Sequence, residues 1–530
     1  MNAIPQLEIA PAQPSSQFAV RNPATQEIIG TLPNLGADQV ADAVAKAAAA
    51  QVRWATMPVR DRLRILSHFA ELLCDQKDSV AAVISREAGK PEAEALSTEV
   101  LVVLDTVKYL QDNIAAFLRP EPVAHANPVM KLKRGTLLRE PYGVVGIISP
   151  WNYPFSLPSI QTLTALVTGN AVVLKPSEFT PYSSLELEKL LRAAGLDPDL
   201  LQVITGDGAA GAALLAANVQ KVVFTGSVAT GKRVAQAAAA RLLPVVLELG
   251  GKDPMIVLED ADIDVASSAA VWGAFMNAGQ TCLSVERCYV QEKIYPKFLE
   301  KCVEKTAKLR IGPGTDPNID AGPMIHERQL GIVRSHVEDA MARGARLLAG
   351  GKPLAQLGSN FFAPTILADV DHSMRIMREE TFGPVLPVRS FKIDDEAVTL
   401  ANDSEYGLAA CIFTNDRKRG EALARRVQAG TVMVNDVLTC FGISEAPHGG
   451  IKASGIGRTH GRFGLEEMVW PKYVDSDRMP RMKKLWWYGY GPVFGAQMGG
   501  FIDLLFGKGL IKRLRGGMKS TKSYLRRRLL

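Results

Sequence analysis

Five short apolar runs between positions 143 and 251 constrain this chain more than any other feature: VVGIIS, NAVVLKP, LLQVITG, KVVFTGS and VVLELGG. Each is bounded by Gly, Pro, Asn or Ser and separated from the next by a helical stretch. They lack the period-two alternation of a half-exposed strand, so both faces need cover, which a parallel sheet with helices between its strands provides. An α/β fold with a Rossmann-like parallel sheet is therefore expected. Residues 252–452 repeat the alternation, with YVQEKI, FFAPTIL, VLPVRSF, AACIFT and GTVMVND as candidate strands of a second α/β domain. After a loose start rich in Pro, Gln and Ser, residues 37–117 read as helices (ADQVADAVAKAAAAQ, RDRLRILSHFAELL) that wrap the first sheet. Near 128–143, PVMKLKRGTLLREPYG alternates polar and apolar residues and reads as an exposed hairpin outside both domains, the kind of ribbon that pairs with another subunit.

A chain of 530 residues exceeds one compact core, and its 47% hydrophobic content suffices for two or three. Six cysteines lie scattered without CxxC pairs and the stretch from Met1 to Ala19 lacks a basic start and an apolar run, so a reducing cytoplasm is expected. The seven histidines form no HxxxH pair, and no catalytic metal is expected. The net charge of +6 is uneven: positions 479–530 hold twelve Lys/Arg and one acid, Asp503, leaving Met1 to Arg478 near −5. The basic excess belongs to one tail and argues against nucleic acid as a partner.

Two glycine patterns invite a nucleotide reading. Gly206, Gly208 and Gly211 form G-x-G-x-x-G after LLQVIT, but no acidic residue lies between Asp207 and Glu248, where a dinucleotide fingerprint needs one about 20 positions on. A structural turn competes with a cofactor contact here. GSVATGK, 226–232, fits a P-loop except that Arg233 stands where a Ser or Thr would hold Mg²⁺. A P-loop ATPase thus loses its metal ligand. What survives is a strand ending at Gly226 and Ser227, where backbone N–H groups at a helix start can face a pyrophosphate.

The decisive pattern is MNAGQTC ending at Cys282, preceded by Glu248 in LELGGKDP and Asn152 in SPWNYP. SPWNYP, KPSE (175–178), FTGS (224–227), LELGGK (247–252), GQTC (279–282) and EETFGPV (379–385) together resemble the aldehyde dehydrogenase superfamily, in that family's order and over roughly residues 20–475. The resemblance implies domains at 1–122 with 143–250 (NAD-binding), 251–452 (catalytic), an oligomerisation β-ribbon at 123–142 with 466–476, and a homodimer or homotetramer. It also implies a thiohemiacetal and then a thioester on Cys282. The Asn152 amide and the Cys282 backbone N–H would form the oxyanion hole, and Glu248 would be the general base for hydrolysis. Lys175 and Glu178 would meet the adenosine ribose, the carboxylate favouring NAD over NADP by repelling a 2′-phosphate. Gly226 and Ser227 would meet the pyrophosphate, Glu380 the nicotinamide ribose, and Phe382 would pack near the nicotinamide. Trp151 and Pro176 would shape the adenosine pocket and the turn to Asn152, with Gly208 and Gly211 as lesser contacts. The other five cysteines read as inert.

The substrate is less legible. Entrance loops are expected near 100–112, 283–285 and 435–445, and Phe275, Met276, Leu283, Val285, Phe441 and Ile443 favour an apolar aliphatic or aromatic aldehyde. Arg287 reads as a salt-bridged structural arginine rather than an anion anchor, which weighs against a semialdehyde; betaine aldehyde is another alternative. After residue 474 comes an aromatic, Gly-rich, basic tail. The run 485–507 could span a bilayer by length, but Pro492, Gln497, Asp503 and its glycines oppose that. Read as one helix, 501–515 gathers Asp503, Gly507, Lys508, Lys512 and Arg515 on one face. That fits an anchor on an anionic membrane surface, against a tail packed across a neighbouring subunit. A noncatalytic membrane scaffold is the other function class, and the intact Cys282, Glu248 and Asn152 set argues against it.

Overall fold

The computed structural model describes residues 16–128, 130–482, 484 and 486–529, the last four without their side chains. The reading of residues 1–15 as loose falls outside them. Two parallel sheets organise the larger unit, which takes in the chain up to Pro120 and Leu138–Lys472.

The first sheet has six strands in the order Gly455–Ile456, Val245–Glu248, Lys221–Thr225, Val144–Ile148, Ala171–Lys175, Leu201–Val203. All pairs are parallel except the first. All five apolar runs supply its strands. Val145, Val172, Val173, Val222, Val223 and Val246 are wholly buried, as helices on both faces require. Helix Ser156–Val167 is buried along its whole length, so it lies inside the core instead of covering it. Helices Ala37–Thr56, Val59–Asp75 and Leu101–Phe117 pack around this sheet through Val40, Val44, Leu66, Phe69, Val103 and Leu110.

The second sheet runs Arg346–Ala349, Thr365–Ala368, Val385–Phe391, Val285–Gln291, Asp253–Val257, Ala409–Phe413, Thr431–Val434, antiparallel only at its first pair. The run YVQEKI catches only the end of its strand, which begins at Val285, and Asp253–Val257 went unread because Pro254 and Asp253 look like a turn. Gly455–Ile456 lies beyond the expected 251–452 boundary and returns to the first sheet's edge. The loose start is also corrected: Gln17–Arg21 and Ile28–Pro33 form a hairpin, turned where Asn22 Oδ1 accepts from Ala24 N at 2.8 Å.

The smaller unit comprises Glu121–Leu137 and Tyr473–Leu530. Its ribbon is not the self-paired hairpin expected at 128–143. Lys133–Pro141 pairs antiparallel with Glu121–Val123 and has Val469–Asp477 on its other side. The tail is two helices, Pro492–Phe506 and Leu510–Leu529, instead of one through 501–515. Gly507 ends the first in an extended conformation and Gly509, at φ +86°, turns the chain into the second. No helix among the described residues is long and apolar enough to cross a membrane.

Candidate active site

Strand order in the first sheet reverses between Val144–Ile148 and Lys221–Thr225, and the loops leaving those strands diverge over a crevice at their carboxyl ends. A cavity of about 270 Å³ opens there, lined by Trp151, Asn152, Gly226, Ser227, Glu248, Cys282, Glu380 and Phe382, with Leu157, Leu249, Gln329, Ile332 and His448. Segments as distant in the chain as those of Trp151 and His448 thus meet at one point. Among the described residues no Lys or Arg lines it.

A buried ion pair holds the loop bearing Asn152. Lys90 Nζ lies 2.7 Å from Glu99 Oε1, both side chains fully inaccessible, and donates to the Asn152 carbonyl at 2.8 Å. Glu99 Oε2 accepts from Phe155 N (2.7 Å) and Ser156 N (3.0 Å), closing the start of the buried helix that follows. The Asn152 amide donates one N–H to the Gln280 carbonyl at 3.1 Å, which leaves one of its two N–H groups for a ligand. Lys90 and Glu99 were missed because an isolated Lys just past helix Lys77–Ala88 and an isolated Glu in the helical turn Leu96–Val100 carry no sequence signal of burial.

Cys282 follows three consecutive left-handed residues, Asn277, Ala278 and Gly279, at φ 51°, 53° and 70°. A Cβ at Gly279 would sit 2.2 Å from the Gly383 carbonyl oxygen, so only glycine lets the two loops touch. Gln280 pins the turn: its amide donates to Asn277 O (3.1 Å) and Pro323 O (3.3 Å) and accepts from Ile325 N (2.8 Å). Asn277, held by Glu94 at its backbone N–H, donates to Asn152 O and Gln280 O. Strain of this kind collects where a reacting group must be aimed. Burial first, then the carboxylates of Asp253, Glu248 and Glu380, push the Cys282 thiol well above its ordinary range.

Glu248 ends its strand, buried, with Oε1 lacking any hydrogen-bond partner. Burial drives its pKa well up and Glu467 adds to this, while Arg458 opposes it. Oε2 stands 3.6 Å from His448 Nε2. His448 is itself pushed down to about 3, by burial foremost and then by His460 and Arg458, so it is neutral. This neighbour of Glu248 was missed, since a lone His after Pro447 forms no motif.

The loop carrying Glu380 and Phe382 is held from below by a second buried pair. Lys252 Nζ meets Glu286 Oε2 at 2.5 Å, and Glu286 accepts from Thr381 N and Phe382 N, both at 2.8 Å. Glu380 accepts from Gly251 N at 3.2 Å, and burial, then Glu286, raise it to about 8. Phe382 meets Trp151 edge-on, centroids 5.4 Å apart. His326 lies between Trp151 (6.1 Å) and Phe179 (4.7 Å), an aromatic cluster no motif announced.

Other expectations fall differently. Lys175 is buried, 3.4 Å from Glu178 Oε2, and neither residue, nor Pro176, lines the cavity. Gly208 opens helix Gly208–Ala216, whose N-cap Asp207 accepts from Ala209 N at 2.8 Å, so a carboxylate already occupies the position a pyrophosphate would take. Gly211 lies inside that helix. Ser227 caps helix Val228–Ala239, and Lys232 is exposed within it, which removes the P-loop geometry. Arg287 is structural but not salt-bridged: it donates to the carbonyls of Lys252 (2.7 Å), Leu400 (3.0 Å) and Ala401 (2.9 Å). Phe275, Met276, Leu283 and Val285 are core residues packed around Cys282 rather than an entrance, whereas Ile443 is exposed. Cys288, Cys302, Cys411 and Cys440 are buried, and Cys74 is an exposed free thiol.

Known proteins supply the same frame. The chain is 40% identical over 509 residues to a 4,4'-diapolycopene aldehyde oxidase of Methylomonas sp, covering 96% of this chain and 95% of the relative. It is 39% identical over 450 residues to a putative succinate-semialdehyde dehydrogenase [NADP(+)] of Mycolicibacterium smegmatis, covering 85% and 86%. The crystal structure of an NAD-dependent aldehyde dehydrogenase from Sinorhizobium meliloti superposes with a TM-score of 0.85 at 37% identity, over 89% of this chain and 93% of that one. With residues 9–474 matching the aldehyde dehydrogenase family as a whole, the chain belongs to that family and is an oxidoreductase acting on aldehydes.

Proposed function

We propose that this enzyme oxidises a long apolar aldehyde to its carboxylic acid, with NAD as the preferred acceptor. The carrying observation is the convergence of Cys282, Glu248 and Asn152 on one cavity whose walls include Trp151, Leu157, Leu249, Ile332 and Phe382 and, among the described residues, no cation. A succinate-type semialdehyde would leave its carboxylate unpaired there, at a cost of several kcal/mol on the order expected for a buried unpaired charge. The diapolycopene aldehyde oxidase supports an apolar substrate. Its match covers 96% of this chain and so runs past Val474 into the tail.

Cys282 gives up its thiol proton to solvent as Sγ adds to the carbonyl carbon, and the oxyanion accepts from the free N–H of Asn152 and the Cys282 backbone N–H, each donor contributing about 3 kcal/mol. A dinucleotide, when bound, supplies the two-electron acceptor that turns this adduct into a thioester. Glu248 then takes a proton from the water that attacks the thioester, releasing the acid and restoring the thiol. The crevice fits such a cofactor: backbone N–H groups at the start of helix Val228–Ala239, beside Gly226 and Ser227, would meet its anionic oxygens, and Glu380 and Phe382 would hold its nicotinamide end. Lys175 and Glu178 would hold the adenosine ribose, with Glu178 setting the preference for NAD. The ribbon formed by Lys133–Pro141 and Val469–Asp477 pairs subunits into a homodimer or a homotetramer. The test is reduction of NAD and NADP over a panel of short, long-chain, aromatic and semialdehyde substrates; faster turnover of succinic semialdehyde than of decanal overturns the substrate assignment.

A further inference from the structure

The C-terminal helical pair turns its apolar side chains outward. Where the two helices cross, the seam is made of small and polar residues: Gly500, Gly516, Gln497 and Ser523 are buried. A Cβ at Gly500 would fall 2.6 Å from the Gly516 carbonyl oxygen, and one at Gly516 would fall 2.6 Å from Leu504 N. The backbones are therefore too close for side chains between them. Leu510, Ile511, Leu514, Met518 and Leu525, at spacings of four and seven, form one stripe of the second helix and are 56–73% exposed. Ile502 and Phe506 of the first helix are also exposed. An amphipathic helix in a water-soluble fold normally buries this stripe, and contiguous exposed apolar area of this kind marks an interaction surface.

Charge identifies the occupant. Lys512, Arg515, Lys519 and Lys522 follow one another at spacings of three and four along the flank beside the apolar stripe, all exposed. The tail from residue 479 carries a net +11. A second copy meeting this face across a two-fold axis would set like charges opposite one another. Anionic lipid instead accepts both halves of the pattern: the apolar stripe enters the acyl boundary while the cations stay among the headgroups.

We propose that the helical hairpin Pro492–Leu529 docks the enzyme on an anionic bilayer surface, lying in the interface without crossing it. The docking rests on the reading of an apolar, membrane-dissolved substrate only for its purpose; its geometry is independent of the active site.

The test uses the full-length enzyme and vesicles of phosphatidylcholine with or without phosphatidylglycerol. Co-sedimentation is expected with the anionic vesicles, falling at least fivefold between about 50 and about 500 mM salt as the Debye length shortens. Leu514→Glu with Met518→Glu, and separately Lys519→Glu with Lys522→Glu, should each cut the bound fraction at least tenfold while oxidation of hexanal and subunit number stay unchanged. No binding of the wild type at low salt overturns the proposal, as does binding indifferent to both pairs. A change of subunit number by light scattering in the apolar pair, without loss of vesicle binding, assigns the face to a second copy and also overturns it. Vesicle binding by a protein that fails to oxidise hexanal or decanal would leave the docking standing and sink the enzymatic reading alone.

Discussion

Replacing Glu248 by Gln keeps the side chain's shape and removes its ability to take a proton. General-base catalysis contributes about 10²–10⁴-fold, which at ~1.36 kcal/mol per decade is about 3–5 kcal/mol of barrier. The deacylation step should slow by that factor, while acylation at Cys282, which uses the thiol and the oxyanion hole, should fall less than about tenfold. Rapid mixing of the variant with saturating decanal and NAD should then show a full burst of reduced cofactor followed by a slow steady state. Two pH readouts sharpen the test. Burial raises the Glu248 pKa well above the ordinary carboxylate value, so wild-type deacylation should fall on the acid side at a pH well above 4.5, and that limb should vanish in the Gln variant. Stability carries the opposite sign. The folded state holds this proton where the unfolded chain has released it, so wild-type stability declines as pH rises from about 4.5 to the raised folded pKa. Gln escapes the decline and should be the more stable form at pH 8. Equal loss of burst and steady state, or a variant less stable at pH 8, refutes the assignment of Glu248 as a buried hydrolytic base.

Cys282→Ser should abolish cofactor-linked aldehyde oxidation, to below about 10⁻³ of wild type, with dinucleotide affinity by fluorescence titration within about twofold. Because burial and three carboxylates hold the Cys282 thiol protonated, its iodoacetamide alkylation in the free enzyme should rise about tenfold per pH unit from 7 to 9 without a plateau; a plateau near 7 contradicts this. Lys90→Met leaves Glu99 buried without its cation and should destabilise by about 3–5 kcal/mol, seen as an earlier denaturation midpoint, with activity falling as the Asn152 loop loosens. Gly279→Ala should yield inactive or insoluble protein, since both its φ and the Gly383 carbonyl forbid a Cβ; a soluble, active variant refutes the contact.

What the sequence shows well is what repeats locally. The five apolar runs are strands because most residues in them face a covered side, and VLPVRSF matches its strand end to end for the same reason. Short motifs around Asn152, Glu248 and Cys282 carry the family resemblance from which their chemistry is proposed. Lys90, Glu99, Lys252 and Glu286 do not announce their role, because it depends on being buried opposite a partner from another part of the chain, and burial of a charge has no local signature. The tail misled in a similar way. Counted as one helix its charges cluster on a face, but Gly507 and Gly509 fold it in two, and only then does the apolar stripe of 510–525 separate cleanly from the cations. His448 reached the cavity through the turn that places it beside Thr459, a backbone pairing invisible in composition.

The pairing of Gly455–Ile456 with Leu247 and Glu248 bears on how the protein is made. Ser454 stitches the same edge, accepting from Leu249 N through its carbonyl and donating through its hydroxyl to Gly250 O at 2.7 Å. On the ribosome the strand that carries Glu248 emerges long before the strand that flanks it, with the whole second sheet in between. Until then Val245–Glu248 is an open sheet edge, with its unpaired amides available to any extended chain nearby. The second lobe, synthesised in the interval, can assemble from nearer contacts first. Translation arrested short of residue 455 should therefore leave a nascent chain with both sheets begun, Cys282 already made, and Glu248 on an unguarded edge: a chaperone client.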